Sequence, residues 1–89
     1  MPLQILSSPS NPDELVENLS SAIAEALPGS QIEVQATGAG HFEIRVASKT
    51  FEGQSRVAQQ QAVYAAIAHL MKGDAAPVHA IDKLETRVP

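Results

Sequence analysis

The sequence has no cysteine among its 89 residues, which excludes a disulfide, a thiolate nucleophile and a metal site built from the chain's own thiolates. Aromatic residues make up only 3% of the chain and are Phe42, Phe51 and Tyr64. A chain of this length forms one domain with one small core. Because aromatic side chains are so scarce, this core must be aliphatic.

Basic residues are also few, since 6 Lys and Arg stand against 10 Asp and Glu and give a formal net charge of −4. Binding nucleic acid through its phosphates needs several clustered cations, so the scattered basic residues argue against it, although Lys49 and Arg56 could form a small local patch. No apolar run reaches the ~18 residues of a membrane span, and the amino-terminal segment lacks the features of a secretory signal. We therefore expect a cytoplasmic protein.

Two segments have the apolar spacing of amphipathic helices. The first follows Asn11, a favourable N-cap, and is predicted to span residues 12–27, before a Pro-Gly pair that ends it. The second follows Gly53 and the N-cap Ser55 and is predicted to continue to Lys72. Its buried face is predicted to consist of Val57, Val63, Ala66, Ile67, Leu70 and Met71, interrupted by Gln60, and its exposed face of Gln59, Gln61, Ala65, Ala68, His69 and Lys72.

Three segments alternate between apolar and polar residues as half-buried strands do. Residues 31–37 and 41–48 flank a Gly-Ala-Gly turn and predict an antiparallel hairpin. Residues 78–88 predict a third strand after the second helix. Its inward side chains are predicted to be Val78, Ala80, Leu84 and Val88, and its outward side chains His79, Ile81, Lys83, Glu85 and Arg87.

The order helix, strand, strand, helix, strand predicts an α+β fold with both helices on one face of a three-stranded sheet. The second helix is long enough for a right-handed crossover, which joins parallel neighbouring strands. We therefore expect the starts of the second and third strands, marked by His41 and His79, to lie at the same end of the sheet. Residues 1–11 are expected to form a flexible tail and residues 12–89 the domain.

His79 is the most notable candidate for a metal ligand, because it opens a strand on the polar side beside the small Ala80. A solvated or structural histidine is the simpler alternative for His79, for His41, and for His69 on the exposed flank of the second helix. A pair of His41 and His79 would favour metal binding but would need further ligands from a partner.

The amino end of the second helix is a candidate contact site for a partner. Ser55 and Arg56 could attract an anionic group through unpaired amides, and an ordinary capped helix is the alternative. The Gly-Ala-Gly segment at residues 38–40 lies between strands, so a hairpin turn explains it better than a phosphate-binding loop. The carboxylates form no recognisable catalytic pair and the serines lie in tails, turns or caps, so we predict that the chain is not an enzyme.

Several segments, taken together and in order, resemble the BolA-like protein family and most closely its IbaG (YrbA) branch. The resemblance covers residues 12–89 and implies a class II KH-like fold, which agrees with the predicted order of elements. The segments that carry it are His41-Phe42, Phe51-Glu52-Gly53-Gln54-Ser55-Arg56-Val57, Gln60-Gln61 with Val63-Tyr64, and Val78-His79-Ala80-Ile81 leading to a terminal proline.

The resemblance also implies a function, since BolA-like proteins form heterodimers with monothiol glutaredoxins and can share a 2Fe-2S cluster with the glutaredoxin and glutathione. His79 matches the family's carboxy-terminal ligand histidine. The family's second ligand, a loop cysteine or histidine, is replaced by glycine and alanine at residues 38–40, and His41 is the nearest substitute. The chain is expected to be a monomer alone or a heterodimer with its partner, and the predicted partner contacts are Lys49, Gly53, Ser55 and Arg56.

The alternative function is that of a KH-like nucleic-acid-binding protein acting as a stress-responsive transcription regulator, which rests on fold analogy. The glutamines at residues 59–61 stand where many family members carry Arg-His-Arg, so at most weak DNA binding is expected. Relative to the family, the last strand holds one extra residue, which predicts a bulge near Asp82 and Lys83.

Overall fold

The computed structural model describes residues 11–73 and 76–89, so residues 1–10 of the tail predicted over residues 1–11 lie outside these ranges. The described residues form two α-helices, and a short 3-10 helix, Lys49–Phe51, precedes the second of them. No helix in the described ranges is long and apolar enough to cross a membrane. The elements follow the predicted order and are α1 (Pro12–Ala26), β1 (Gln31–Gly38), β2 (His41–Ala47), α2 (Arg56–Met71) and β3 (Ala80–Arg87).

Local hydrogen bonding favours the start of α1 at Pro12. The side-chain carbonyl of Asn11 accepts hydrogen bonds from the amides of Asp13 and Glu14, at 2.9 and 3.3 Å. Pro12 lies in the first turn, where the missing amide costs no helical hydrogen bond. The apolar residues that follow at four-residue spacing, Leu15, Leu19 and Ile23, are buried.

The sheet has the order β1-β2-β3, with β2 in the centre. β1 and β2 form the predicted antiparallel hairpin, and β2 and β3 are parallel, as the crossover through α2 predicts. Both helices pack on one face of this sheet. The buried apolar core between the layers is aliphatic apart from two phenylalanines and consists of Leu15, Leu19, Ile23, Leu27, Phe42, Ile44, Val46, Phe51, Val63, Ile67 and Val78.

The buried face of α2 differs from the prediction, which was wrong at two residues. Val57 is 63% exposed, whereas Gln59, predicted on the exposed face, is only 9% exposed. The side-chain amide of Gln59 donates to the main-chain carbonyls of Phe51 and Gln54, at 3.4 and 3.1 Å. Its side-chain carbonyl accepts from the hydroxyl of Thr86 at 2.8 Å. Because these polar groups are satisfied, the glutamine can be buried without the penalty of an unpaired amide.

β3 is shorter at both ends than the strand predicted over residues 78–88. Val78 is buried in the core but precedes the strand, which begins at Ala80. Val88, predicted to face inward, is 38% exposed because the pairing with β2 ends at Arg87.

The predicted bulge is present at Asp82. Phe42 pairs with Ile81, and the next residue, Glu43, pairs with Lys83, so Asp82 has no partner in the ladder. An extra residue reverses the alternation of a strand, and Ile81 packs against the core instead of facing outward. The prediction that Ile81 faces outward was wrong. It extended the alternation of the residues after Asp82 to the residues before it, and the bulge reverses that alternation.

Candidate functional site

The starts of β2 and β3 meet at one end of the sheet. The carbonyl of Gly40 accepts hydrogen bonds from the amides of His79, at 2.8 Å, and of Ala80, at 3.1 Å. His41, the first residue of β2, is the ladder partner of Ala80. The backbone therefore brings His41, at the start of β2, and His79, immediately before β3, to the same end of the sheet, as predicted from the parallel crossover. We call His41, His79, Asp82 and the loop residue Gly40 the histidine end.

His79 is exposed, and its imidazole lies directly against the backbone of Gly40. A Cβ atom at Gly40 would come within 2.6 Å of Nδ1 of His79, closer than any side chain tolerates. Gly40 also has a φ of +74°, which L side chains rarely adopt. Glycine at residue 40 therefore has two uses, since it closes the hairpin loop and leaves room for the His79 ring.

His41 contacts a carboxylate rather than open solvent alone. Its Nδ1 lies 2.9 Å from Oδ1 of Asp82, and the other oxygen, Oδ2, accepts a hydrogen bond from the hydroxyl of Thr37 at 2.9 Å. These two contacts, that of His41 first, hold the pKa of Asp82 below its ordinary value. Asp82 is therefore a carboxylate at neutral pH, and both of its oxygens are engaged.

The histidine end offers imidazole nitrogen but no complete metal site. Within residues 11–73 and 76–89, no group of three or more histidine, aspartate and glutamate side chains is placed to hold a metal ion. Neutral imidazole is nevertheless a good ligand for iron, zinc or copper. The arrangement can contribute one or two nitrogen ligands to a centre whose remaining ligands come from another molecule.

The predicted partner contacts lie at the opposite end of β2 from the histidines. Lys49 starts the 3-10 helix, Gly53 has a φ of +77°, and the hydroxyl of Ser55 caps α2 by accepting from the amide of Ala58 at 3.1 Å. Arg56 is the exposed first residue of α2. The seven residues of β2 separate the two groups by roughly 20 Å, at about 3.3 Å per residue. The structure therefore does not bring these residues together with the histidines.

The open face of the sheet carries paired charges. The guanidinium of Arg45 lies 3.0 Å from a carboxylate oxygen of Glu85 and 3.4 Å from one of Glu33. The ammonium of Lys83 lies 3.2 Å from the second oxygen of Glu85. The hydrogen bond from Lys83 and the charge of the same lysine, followed by the charge of Arg45, lower the pKa of Glu85. Two of the six basic side chains are thus matched by carboxylates, so this face is not a basic surface.

Sequence reasoning missed Asp82 and Thr37 as members of the site, and it placed His69 correctly on the exposed flank of α2. Asp82 lies 41 residues from His41 and 45 from Thr37, so no local pattern connects them. The available signal was the extra residue in β3, because bulges commonly redirect a side chain.

Comparison with known proteins shows that this chain is similar to BolA-like proteins. A family model described as BolA-like protein matches residues 14–89. A protein of the rpoN-murA intergenic region of Acinetobacter guillouiae is 35% identical over 66 residues, which cover 73% of this chain and 75% of that protein.

Solved structures give the same result for the fold. A bolA protein homologue from Coxiella burnetii has a TM-score of 0.66 and 31% identity, covering 82% of this chain and 88% of its own. BolA1 from Arabidopsis thaliana has a TM-score of 0.69 over 94% of this chain and 95% of its own, and at 17% identity it supports the fold alone. The order α-β-β-α-β and the mixed three-stranded sheet are common to these proteins and this chain.

Proposed function

The chain belongs to the BolA-like family, and we propose that it is an adaptor that binds a monothiol glutaredoxin and shares a 2Fe-2S cluster with it. The family is non-enzymatic, and the chain is not an enzyme. As part of the same proposal, we assign the chain to the IbaG branch and to a role in cluster trafficking or iron sensing. The observation that carries the proposal is the exposed imidazole of His79, held against Gly40 at the histidine end.

The residues at the histidine end fit a shared cluster better than a resident one. A 2Fe-2S cluster needs four ligands, and the chain has no cysteine, while its described residues form no site with three or more ligands. The glutaredoxin thiolate and glutathione would supply two ligands, His79 the third and His41 the fourth. When bound, such a cluster would supply transferable iron and sulfide, or a redox centre whose potential nitrogen ligation raises.

The chain's own residues contribute binding and positioning. The amides of His79 and Ala80 both bond to the carbonyl of Gly40, which holds the start of β3 against the hairpin loop. The imidazole of His79 is accessible from solvent, so a partner can approach it without any rearrangement of the core. A partner that also contacts Arg56 would have to extend along α2, whose 16 residues span roughly 24 Å at about 1.5 Å per residue.

The test is to mix the protein with a cluster-loaded monothiol glutaredoxin and to record visible absorption and circular dichroism, with size-exclusion chromatography of the same samples. We expect the native protein to form a complex and to change the cluster spectrum. The His79→Ala variant should lose the spectral change, since it removes the nitrogen ligand. His69→Ala is the matched control, because His69 is also exposed but lies on α2.

Two results would contradict the proposal. The first is an unchanged spectrum with no complex for the native protein. The second is a spectral change that persists in full in the His79→Ala variant. Iron and sulfide analysis of the purified complex checks that the complex contains the cluster. A stable complex without iron and sulfide would show that the chain binds its partner but shares no cluster with it.

A further inference from the structure

Three side chains from three different strands form one hydrogen-bonded chain at the histidine end. Thr37 of β1 donates to Oδ2 of Asp82 in β3, and Oδ1 of Asp82 lies 2.9 Å from Nδ1 of His41 in β2. Thr37 and Asp82 lie on either side of His41, because β2 is the central strand of the sheet. These hydrogen bonds therefore join all three strands at the histidine end, where His79 also lies.

Thr37 and Asp82, the two residues that flank His41 in this hydrogen-bonded group, both lack a pairing partner in the sheet. The β1–β2 register shifts between Ala36 and Gly38, which leaves Thr37 without a pairing partner. The β2–β3 register shifts between Phe42 and Glu43, which leaves Asp82 without one. Each of the two side chains that flank His41 therefore lies at an irregularity of its strand, where the direction of a side chain commonly changes.

The hydrogen bonds determine which nitrogen of His41 carries the proton. An ionised carboxylate only accepts hydrogen bonds, and Asp82 already accepts from Thr37 through its other oxygen. Nδ1 of His41 must therefore be the donor in its contact with Asp82. In neutral His41 this leaves the lone pair on Nε2, the nitrogen that faces away from the carboxylate.

We propose that Asp82 is a positioning residue that holds His41 in the tautomer and orientation in which Nε2 is a ligand, with Thr37 supporting the carboxylate. Metal-binding histidines characteristically donate their other ring N–H to a carboxylate, which orients the ring and increases its basicity. An exposed pair such as His41 and Asp82 contributes little to stability. Fold stability alone therefore does not explain why an irregularity lies in each of the two strands beside His41. The identity of the bound group, the shared cluster, rests on the proposed function.

The first test uses the protein alone and needs no partner. Long-range proton–nitrogen NMR of the imidazole reports the tautomer of His41 directly. We expect the Nδ1–H form in the native protein, and in the Asp82→Ala variant a shift toward the Nε2–H form that free histidine prefers. The Asp82→Asn variant keeps an acceptor oxygen and should retain the Nδ1–H form. An Nε2–H tautomer in the native protein, or no change in Asp82→Ala, would overturn the inference.

The second test uses the complex with the cluster-loaded glutaredoxin and measures the visible circular dichroism of the cluster and its loss to a chelator. Loss of a supporting carboxylate typically weakens a metal site by about 10- to 100-fold, and we expect this range for Asp82→Ala. The Thr37→Val variant should have a smaller effect of the same sign, and Asp82→Asn should be closer to native. Lys83→Ala, which changes the adjacent exposed residue, is the control.

The outcomes separate this inference from the proposed function. If His41→Ala and Asp82→Ala leave the cluster spectrum and its lability unchanged while His79→Ala abolishes them, the role of Asp82 is refuted and the adaptor function stands. If the native protein has the expected tautomer but never changes the cluster spectrum, the adaptor function and the ligand role of His41 both fail. Parallel losses in His41→Ala and Asp82→Ala, with the tautomer shift, support the inference.

Discussion

The imidazole of His79 occupies the space in which a side chain at Gly40 would lie, since a Cβ atom there would come within 2.6 Å of Nδ1. The amide of His79 donates to the carbonyl of the same glycine at 2.8 Å. Main chain and side chain of His79 are thus both located by one residue of the hairpin loop. This relationship links the loop sequence to the position of the candidate ligand.

The Gly40→Ala variant should displace the His79 ring. The ring is exposed and can rotate away, so the cost to stability should be mainly that of an alanine at positive φ, roughly 1–2 kcal/mol. The resonances of the His79 imidazole should shift, and the cluster spectrum of the glutaredoxin complex should weaken. Urea unfolding of the free protein measures the loss of stability, and NMR measures the shift of the His79 resonances.

Gly29→Ala is the matched control, because Gly29 has a similar φ of +81° but a Cβ atom there would meet nothing within 4 Å. It should lose a comparable amount of stability without moving the His79 resonances. Equal shifts of those resonances in both variants would show that Gly40 does not locate the ring.

The Gln59→Leu variant should destabilise the protein through unpaired buried groups rather than through lost volume. It removes the acceptor of the buried Thr86 hydroxyl and one donor to each of the carbonyls of Phe51 and Gln54, although the Phe51 carbonyl still accepts from the amide of Gln54. The unpaired hydroxyl and the lost bonds should cost roughly 1–3 kcal/mol. The double variant Gln59→Leu/Thr86→Val should recover part of the loss, because both members of one buried pair are then apolar. Urea midpoints of the two variants test this.

Gln61→Leu serves as the control for that comparison, since Gln61 is exposed on the same helix and its substitution should change stability by less than about 0.5 kcal/mol. A Gln59→Leu variant as stable as Gln61→Leu would contradict a structural role for the buried amide.

The Lys83→Met variant should raise the pKa of Glu85 toward its ordinary value, because the hydrogen bond from Lys83 is the largest cause of its lowering. A carboxylate whose pKa is lower in the folded than in the unfolded state stabilises the fold at neutral pH. This stabilisation is lost as the pH falls through the folded-state pKa of Glu85. Carbon NMR titration of Glu85 measures the shift.

The stability of native protein and Lys83→Met should therefore differ at neutral pH and converge in acid. Lys49→Met, which removes an exposed lysine beyond the end of β2, should leave the titration of Glu85 unchanged. A constant stability difference across the acid range would contradict the assignment to Glu85.

Duplex DNA should bind weakly and with a shallow salt dependence. Arg45 and Lys83 are paired with carboxylates, and Lys49 and Arg56 are the basic residues grouped before and at the start of α2. Two phosphate contacts would give a slope of about −2 in a plot of log affinity against log salt. Fluorescence anisotropy at increasing salt measures the slope, and a value several units steeper would favour the nucleic-acid alternative. The Lys49→Gln/Arg56→Gln variant should abolish any residual binding.

The helices, the hairpin and the parallel crossover were all predictable from the sequence, because their signals are local. Asn11 and Ser55 cap helices through hydrogen bonds to amides two or three residues away. The alternation of β1 and β2 is carried by consecutive residues, and a helical crossover leaves a parallel neighbour as the usual outcome. Membership of the BolA-like family, predicted from motif segments, was confirmed by the family model, whereas the ligand roles of His79 and His41 stay predictions.

The remaining features depended on the tertiary structure, because they join residues that are far apart in the chain. The sequence pattern places Gln59 on the exposed face of a helix. Its hydrogen-bonding partner, Thr86, lies 27 residues later, so only the folded structure shows why Gln59 is buried. In the sequence, Asp82 is an interruption in a strand, and only the paired sheet shows that it contacts His41 and Thr37. By itself, the sequence determined which segments pack and that two histidines share one end of the sheet. The tertiary structure alone decided which residues contact those histidines, since a hydrogen bond across strands depends on register, and one extra residue changes it.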